Sequence, residues 1–148
     1  MAGKPPNLIA IDHDDYHAKY VGRLSDGRQF FLTTPFEPAI DGPGREFLAV
    51  FLFDAKGAFL EARIDDFGTR ASLDETRANA LLEQRLRELG EVTYGRIRVA
   101  PFSVERFSST FGLIARPPEE EGDEWAVELQ PGNYMAFFAP WNSGTYDT

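Results

Sequence analysis

Both histidines of the chain and three of its aspartates lie within the segment IDHDDYH, residues 11–17. If this segment were helical, His13 and His17 would share one face at a spacing of four, as in a zinc-binding His-Glu-x-x-His helix. If it were extended, His13, Asp15 and His17 would point the same way and could form a facial metal triad. No third histidine exists in the chain, and consecutive aspartates also suit a turn. A polar connecting loop is therefore favoured over a metal site, and we predict no cofactor.

A second group of chemically useful side chains alternates along the predicted strand Val92–Val99. Tyr94, Arg96 and Arg98 would share one face of this strand. An aromatic ring flanked by guanidinium groups could bind an anion such as a carboxylate or a phosphate. The same pattern is typical of outward-facing residues that pair with acidic side chains across a sheet. The three residues are therefore an anion-binding hypothesis with an ordinary structural alternative.

The end of the chain combines acidic and aromatic residues. Residues 116–148 carry seven acidic side chains and one basic side chain, in a chain of formal net charge −9. Trp125, Trp141 and Tyr146 belong to the residue types that anchor protein interfaces. The acidic residues that precede Trp125 include Glu119, Glu120 and Glu121. This composition predicts a surface for a protein partner, which would be basic, although the rings could instead pack against their own domain.

Several classes of function are excluded or disfavoured. The chain has no cysteine, which excludes disulfides, thiolate nucleophiles and cysteine-based metal sites. It contains no phosphate-binding P-loop, no G-x-G-x-x-G motif and no G-x-S-x-G motif. The negative charge would repel phosphate backbones, so we expect no binding to nucleic acid. Because there is neither a signal-peptide pattern nor a long apolar run, we expect a cytoplasmic protein without membrane contact.

The elements that must position these residues follow from the apolar pattern. The length of 148 residues suits a single globular domain, residues 1–148, with a frayed N-terminus at residues 1–7. Two β-hairpins are predicted, and the segment FLAVFLF is apolar on both strand faces, as in a central strand that is covered on both sides. The hairpin strands are residues 19–24 with 29–34 and residues 47–53 with 58–64.

The remaining elements are one helix and several strands. Ser72 and Glu75 match a capping box, and apolar residues at helical spacing continue to Gly90, which predicts a main amphipathic helix at about 73–89. Strands are predicted at 8–11, 92–99 and 108–115, with a C-terminal hairpin of 125–129 and 133–138. Loops are predicted at 35–46, which is rich in proline and glycine, and at 117–124, which is acidic.

These elements predict an α+β fold with a mainly antiparallel, strongly curled sheet, such as a half-barrel or a small sandwich, because one helix covers only part of such a sheet. No motif identifies a family. The favoured function is a small, soluble, non-catalytic binding protein, for example of an inhibitor or immunity type, which uses the acidic aromatic C-terminal surface. The alternatives are a small metal-dependent enzyme, an anion or small-molecule binder with a cleft in the sheet, and a subunit that self-associates through a strand edge.

Overall fold

Three sheets and one α-helix make up the part of this computed structural model that is described, residues 4–39 and 42–148. Every strand pair in these ranges is antiparallel, which confirms the α+β class. None of the sheets is closed or strongly curled, so the prediction of one strongly curled sheet is wrong. Residues 1–3 of the predicted frayed terminus and residues 40 and 41 of the predicted loop 35–46 lie outside the described residues.

The largest sheet has six strands, which are β2 Tyr20–Leu24, β3 Gln29–Thr33, β4 Phe36–Glu37, β5 Arg45–Phe53, β6 Phe59–Thr69 and β7 Val92–Tyr94. The sheet is built around β5. Strand β6 pairs with one side of β5, and β3 and β4 pair one after the other with its opposite side. Strand β2 follows beyond β3, and β7 lies at the edge. Both predicted hairpins are present here.

Two smaller sheets complete the fold. A two-stranded sheet joins β1 Ile9–Ile11 to β8 Ile97–Val99. A four-stranded sheet consists of β9 Phe102–Arg106, β10 Ser109–Arg116, β11 Ala126–Gln130 and β12 Ala136–Phe137, in the order β12-β11-β10-β9. The predicted strand 92–99 is wrong, because the chain breaks at Gly95 and Arg96 and enters a different sheet as β8. The predicted strands near 8–11 and 108–115 and the C-terminal hairpin are present.

The two apolar faces of β5 lie in separate clusters of buried residues. Phe47 and Phe51 belong to the larger cluster, which is shared with the four-stranded and two-stranded sheets. Leu48 and Leu52 belong to the smaller cluster, against which the apolar side of the helix packs. Burying a side chain of this size contributes about 1.5–3 kcal/mol. The apolar surface of the large sheet, which strong curling of the sheet was expected to bury, is therefore buried by separate layers that pack on its two faces.

The helix, α1, is Glu75–Leu89, and it begins two residues later than predicted. Asp74 caps it, because its carboxylate accepts a hydrogen bond from the backbone N–H of Arg77 at 3.1 Å. Ser72 lies in a preceding 3₁₀ turn, where its own N–H donates to the Thr69 hydroxyl. The capping box assigned to Ser72 is therefore wrong. Gly90 ends the helix with a positive φ of 78°, as predicted.

One buried polar side chain joins two of the sheets. Gln29 lies at the start of β3 and is 1% exposed. Its amide nitrogen donates to the Arg98 carbonyl oxygen at 2.9 Å, and its amide oxygen accepts from the Arg98 N–H at 2.8 Å. The side chain thus makes the two hydrogen bonds that a neighbouring strand would otherwise make to the backbone of β8.

No helix in the described ranges is long and apolar enough to cross a bilayer.

Candidate functional site

The segment between β1 and β2 is a loop that is held by its own aspartate. The Asp14 carboxylate accepts hydrogen bonds from the backbone N–H groups of Tyr16 (2.9 Å) and Ala18 (3.0 Å), and from the Tyr146 hydroxyl (2.5 Å). The Tyr146 oxygen in turn accepts the His17 backbone N–H at 3.1 Å. We call residues 12–18 the anchored loop, because these bonds tie it to the end of the chain.

The ionisation of the anchored loop follows from these contacts. Burial raises the pKa of Asp14, but the hydrogen bonds from Tyr146, Tyr16 and Ala18 outweigh it, and the pKa lies below its ordinary value. Burial lowers the pKa of His17 more than the nearby Asp14 charge raises it. Burial and the bond to Asp14 raise the pKa of Tyr146 to about 12. At neutral pH the loop therefore holds an ionised Asp14 and a neutral His17, and its partner Tyr146 is neutral.

A second set of contacts fixes the other end of the loop. Arg96 donates to both carboxylate oxygens of Asp12, at 2.6 and 3.3 Å, and also to the carbonyl oxygens of Asn142 (3.0 Å) and Ser143 (3.3 Å). Gly144 has a positive φ of 83°, and a β-carbon there would lie 2.4 Å from the Asp12 carboxyl carbon. The guanidinium of Arg96 is therefore part of the structure that joins the loop to the C-terminal segment.

The predicted metal ligands do not converge. The His13 ring stacks on Tyr94 with centroids 5.4 Å apart, whereas the His17 ring stacks on Tyr16 at 3.8 Å. Across residues 4–39 and 42–148, no group of three or more histidine, aspartate or glutamate side chains is placed to hold a metal ion. The hypothesis that His13, Asp15 and His17 bind a metal therefore receives no support from this arrangement.

The predicted anion-binding residues are also distributed differently. Tyr94 ends β7, Arg98 lies in β8, and Arg96 lies in the break between them. Tyr94 packs against His13 and also lies near Tyr20, with ring centroids 6.4 Å apart. Because Arg96 is already bound to Asp12 and to two carbonyl groups, it has little capacity left for an external anion.

The acidic aromatic segment, in contrast, forms a concave surface. A groove of about 710 Å³ lies beside the loop that joins β10 to β11, and we call it the acidic groove. Trp125 and Trp141 line it together with four carboxylates. The complete lining is Lys4, Pro118, Glu120, Glu121, Gly122, Asp123, Glu124, Trp125, Ala139 and Trp141. Of the six residues predicted for partner binding, four therefore meet here, whereas Glu119 and Tyr146 are not among the lining residues.

Local sequence explains the shape of the groove. Strand β10 ends at Arg116, and two prolines follow that cannot donate to a strand ladder. The loop then closes on Asp123, whose carboxylate accepts the N–H groups of Glu119 and Glu120 at 3.3 Å. Trp141 packs partly against the larger core cluster, which fixes its ring at the other wall.

The charges of the acidic groove are largely open to solvent. The side chains of Glu120, Glu121 and Glu124 make no ion pair or hydrogen bond to any residue that the structure describes, and all three are exposed. Lys4 is the basic side chain in the lining. Lys4 was not predicted from the sequence, because it comes from a segment that is far from the acidic loop in the chain.

Comparison of the chain with protein-family models, with curated proteins and with solved structures found no match. The candidate site is therefore characterised by its own geometry, a groove in which two tryptophans lie beside carboxylates that are open to solvent.

Proposed function

We propose that this chain is a non-catalytic binding protein that recognises a basic segment of a partner protein through the acidic groove. The observation that carries the proposal is the meeting of Trp125 and Trp141 with four carboxylates in one groove of about 710 Å³. Grooves of this volume accommodate side chains or small ligands rather than water alone.

The chemistry of the groove matches a lysine or arginine side chain. Tryptophan is the best aromatic partner for a cation, because the face of its ring carries negative potential. The surrounding carboxylates supply charge-assisted hydrogen bonds to ammonium or guanidinium groups. They also attract a basic partner over a distance, so association will be fast at low salt and slower at high salt.

The proposal is tested with short peptides that differ only in charge. Calorimetric titration with tri-arginine and tri-lysine at low ionic strength is expected to show binding that weakens as salt is added. Tri-glutamate is expected not to bind. Absence of binding by both basic peptides would contradict the proposal.

Two variants with the same change in charge locate the binding. Glu121→Gln/Glu124→Gln removes two carboxylates from the acidic groove, and we expect affinity for tri-arginine to fall by about tenfold, which corresponds to about 1.4 kcal/mol. Glu83→Gln/Glu91→Gln removes two exposed carboxylates elsewhere and serves as the control. Equal losses in both variants would show that net charge attracts the peptide without use of the groove.

A further inference from the structure

A second cleft is lined in part by His17 of the anchored loop and has a different chemistry. Its volume is about 350 Å³. It is lined by residues from five separate segments of the chain. The lining residues are His17, Thr34, Phe36, Glu46, Arg70, Gly132 and Tyr134. None of them lines the acidic groove, so the two concave surfaces can be tested independently.

One wall of this cleft holds an oriented guanidinium group. Arg70 Nε donates to Glu46 Oε1 at 2.6 Å, and the guanidinium carbon lies 3.7 Å from the centre of the Phe36 ring. These two contacts hold the group from two sides. The terminal nitrogens of Arg70 make no hydrogen bond or ion pair with the described residues, and they remain available to a planar carboxylate.

The same wall also offers a carboxylate oxygen. The Glu46 side chain is only 13% exposed, and one of its oxygens binds Arg70. Its second oxygen, Oε2, makes no hydrogen bond within the described part of the chain. An open cation donor and an open anion acceptor therefore stand side by side at the cleft.

Another part of the cleft lining is uncharged and closely packed. The Tyr134 hydroxyl is hydrogen-bonded to the Thr33 hydroxyl at 2.5 Å, and the His17 ring lies 4.8 Å from the Tyr134 ring. Gly132 has a positive φ of 93°, and a β-carbon there would lie 2.4 Å from the Phe36 carbonyl oxygen. This close approach brings the β11–β12 turn against β4 and shapes the cleft between Phe36 and Tyr134.

We propose that this cleft binds a small zwitterion of the α-amino acid class. The carboxylate of the ligand binds the terminal nitrogens of Arg70, its ammonium group binds Glu46 Oε2, and its side chain lies between Phe36 and Tyr134. A simple anion would be repelled by Glu46, and a simple cation would be repelled by Arg70. A ligand that carries an ammonium and a carboxylate group on the same carbon satisfies both groups at once.

The test uses three probes that share one side chain. Phenylalanine carries both charges, N-acetylphenylalanine lacks the ammonium group, and phenethylamine lacks the carboxylate. Titrations followed by ¹H–¹⁵N correlation spectra are expected to show phenylalanine binding at about 1 mM, with the largest shifts at His17, Glu46 and Tyr134. The other two probes are expected to bind at least tenfold more weakly. Equal binding of N-acetylphenylalanine would overturn the proposal in favour of a plain anion site, and absence of shifts with phenylalanine would also overturn it.

Variants assign the two charged contacts. Arg70→Gln and Glu46→Gln are each expected to weaken phenylalanine binding by about tenfold. Arg77→Gln is the control, because Arg77 is exposed on α1 and its side chain makes no contact with the cleft. Unchanged binding in both cleft variants would contradict the proposal. The groove variant Glu121→Gln/Glu124→Gln is expected to bind phenylalanine normally, which separates this test from that of the proposed function.

Discussion

The anchored loop and the acidic groove are both rich in carboxylates, yet they use them in different ways. In the loop, Asp12 binds Arg96, and Asp14 binds two backbone N–H groups and a tyrosine hydroxyl. In the groove, Glu121 and Glu124 bind no residue within the described ranges. Carboxylates with internal partners hold the fold together, whereas those that face solvent are available to a partner molecule.

The aromatic residues of the same two regions also differ in their positions. Tyr146 was expected to contribute to a binding surface, but its hydroxyl is bonded to Asp14 and to the His17 N–H. Trp125 and Trp141 line the acidic groove beside the open carboxylates. Tyr146 therefore has an internal structural role, whereas Trp125 and Trp141 form part of the wall of the groove.

The largest effect is expected from Asp14→Ala. This change removes the acceptor of three hydrogen bonds, two of them to backbone groups of the loop, and we expect the free energy of unfolding to fall by about 2 kcal/mol. Urea denaturation measures this change. The matched control is Asp15→Ala, which removes an exposed neighbouring carboxylate and should alter stability by less than about 0.5 kcal/mol. Similar losses in both variants would contradict the distinction between anchoring and exposed carboxylates.

A smaller loss of stability is expected from Arg96→Ala. The Arg96 and Asp12 side chains are 45% and 43% exposed, so water screens their attraction. The bonds to the carbonyl groups of Asn142 and Ser143 are lost as well, and the C-terminal segment should become more mobile. Denaturation together with amide hydrogen exchange at residues 142–146 measures both effects. Arg98→Ala, which alters an exposed side chain of β8, should leave exchange in this segment unchanged.

The pH dependence of stability gives a weaker signature of the same loop. The folded pKa of Asp14 is depressed, so its contribution to stability is complete above the unfolded pKa of about 3.9 and is lost as pH falls through the folded pKa. In Asp14→Asn this contribution is absent. We therefore expect the free energy of unfolding of the variant to decrease less steeply with acidification below about pH 4 than that of the unmodified protein. Parallel curves for the two proteins would contradict the anchoring role of the ionised carboxylate.

The smallest effect on folding is expected in the acidic groove. Glu120→Gln/Glu121→Gln removes two neighbouring like charges with no internal partner, and we expect stability to stay within about 0.5 kcal/mol or to rise slightly. Thermal denaturation at low salt measures this change. A marked loss of stability would show that these carboxylates are structural and would remove the contrast with the anchored loop.

Local sequence patterns predicted much of the fold. The hairpin of residues 19–24 with 29–34, the doubly apolar strand β5 and Gly90 at the end of the helix were all predicted correctly, because each depends on neighbouring residues. The start of the helix was not, because Ser72 and Asp74 are both good capping residues and local pattern does not choose between them. The break at Gly95 was missed since an alternating pattern runs through it.

The candidate sites were less predictable than the elements. Glu120, Glu121 and Trp125 are close in sequence, so composition alone indicated an acidic aromatic surface. The cleft that contains Glu46 and Arg70 left no sequence signal, because these residues meet only when strands and turns from distant segments pack together. The role of Tyr146 was likewise hidden, since its partner Asp14 lies 132 positions away.

The attachment of the anchored loop to the C-terminal segment has a consequence for folding during synthesis. Strand β1 pairs with β8, and the backbone N–H groups of Ala10 in β1 and of the following Asp12 donate to the carbonyl oxygens of Trp141 and Gly144. Strand β1 is therefore synthesised well before all of these partners, and its apolar residues Ile9 and Ile11 remain unpaired in the meantime. Such non-local closure slows folding and leaves an open edge to which other nascent chains can add. Chaperone binding to growing chains is thus expected to centre on β1 and to end when residues 141–144 emerge.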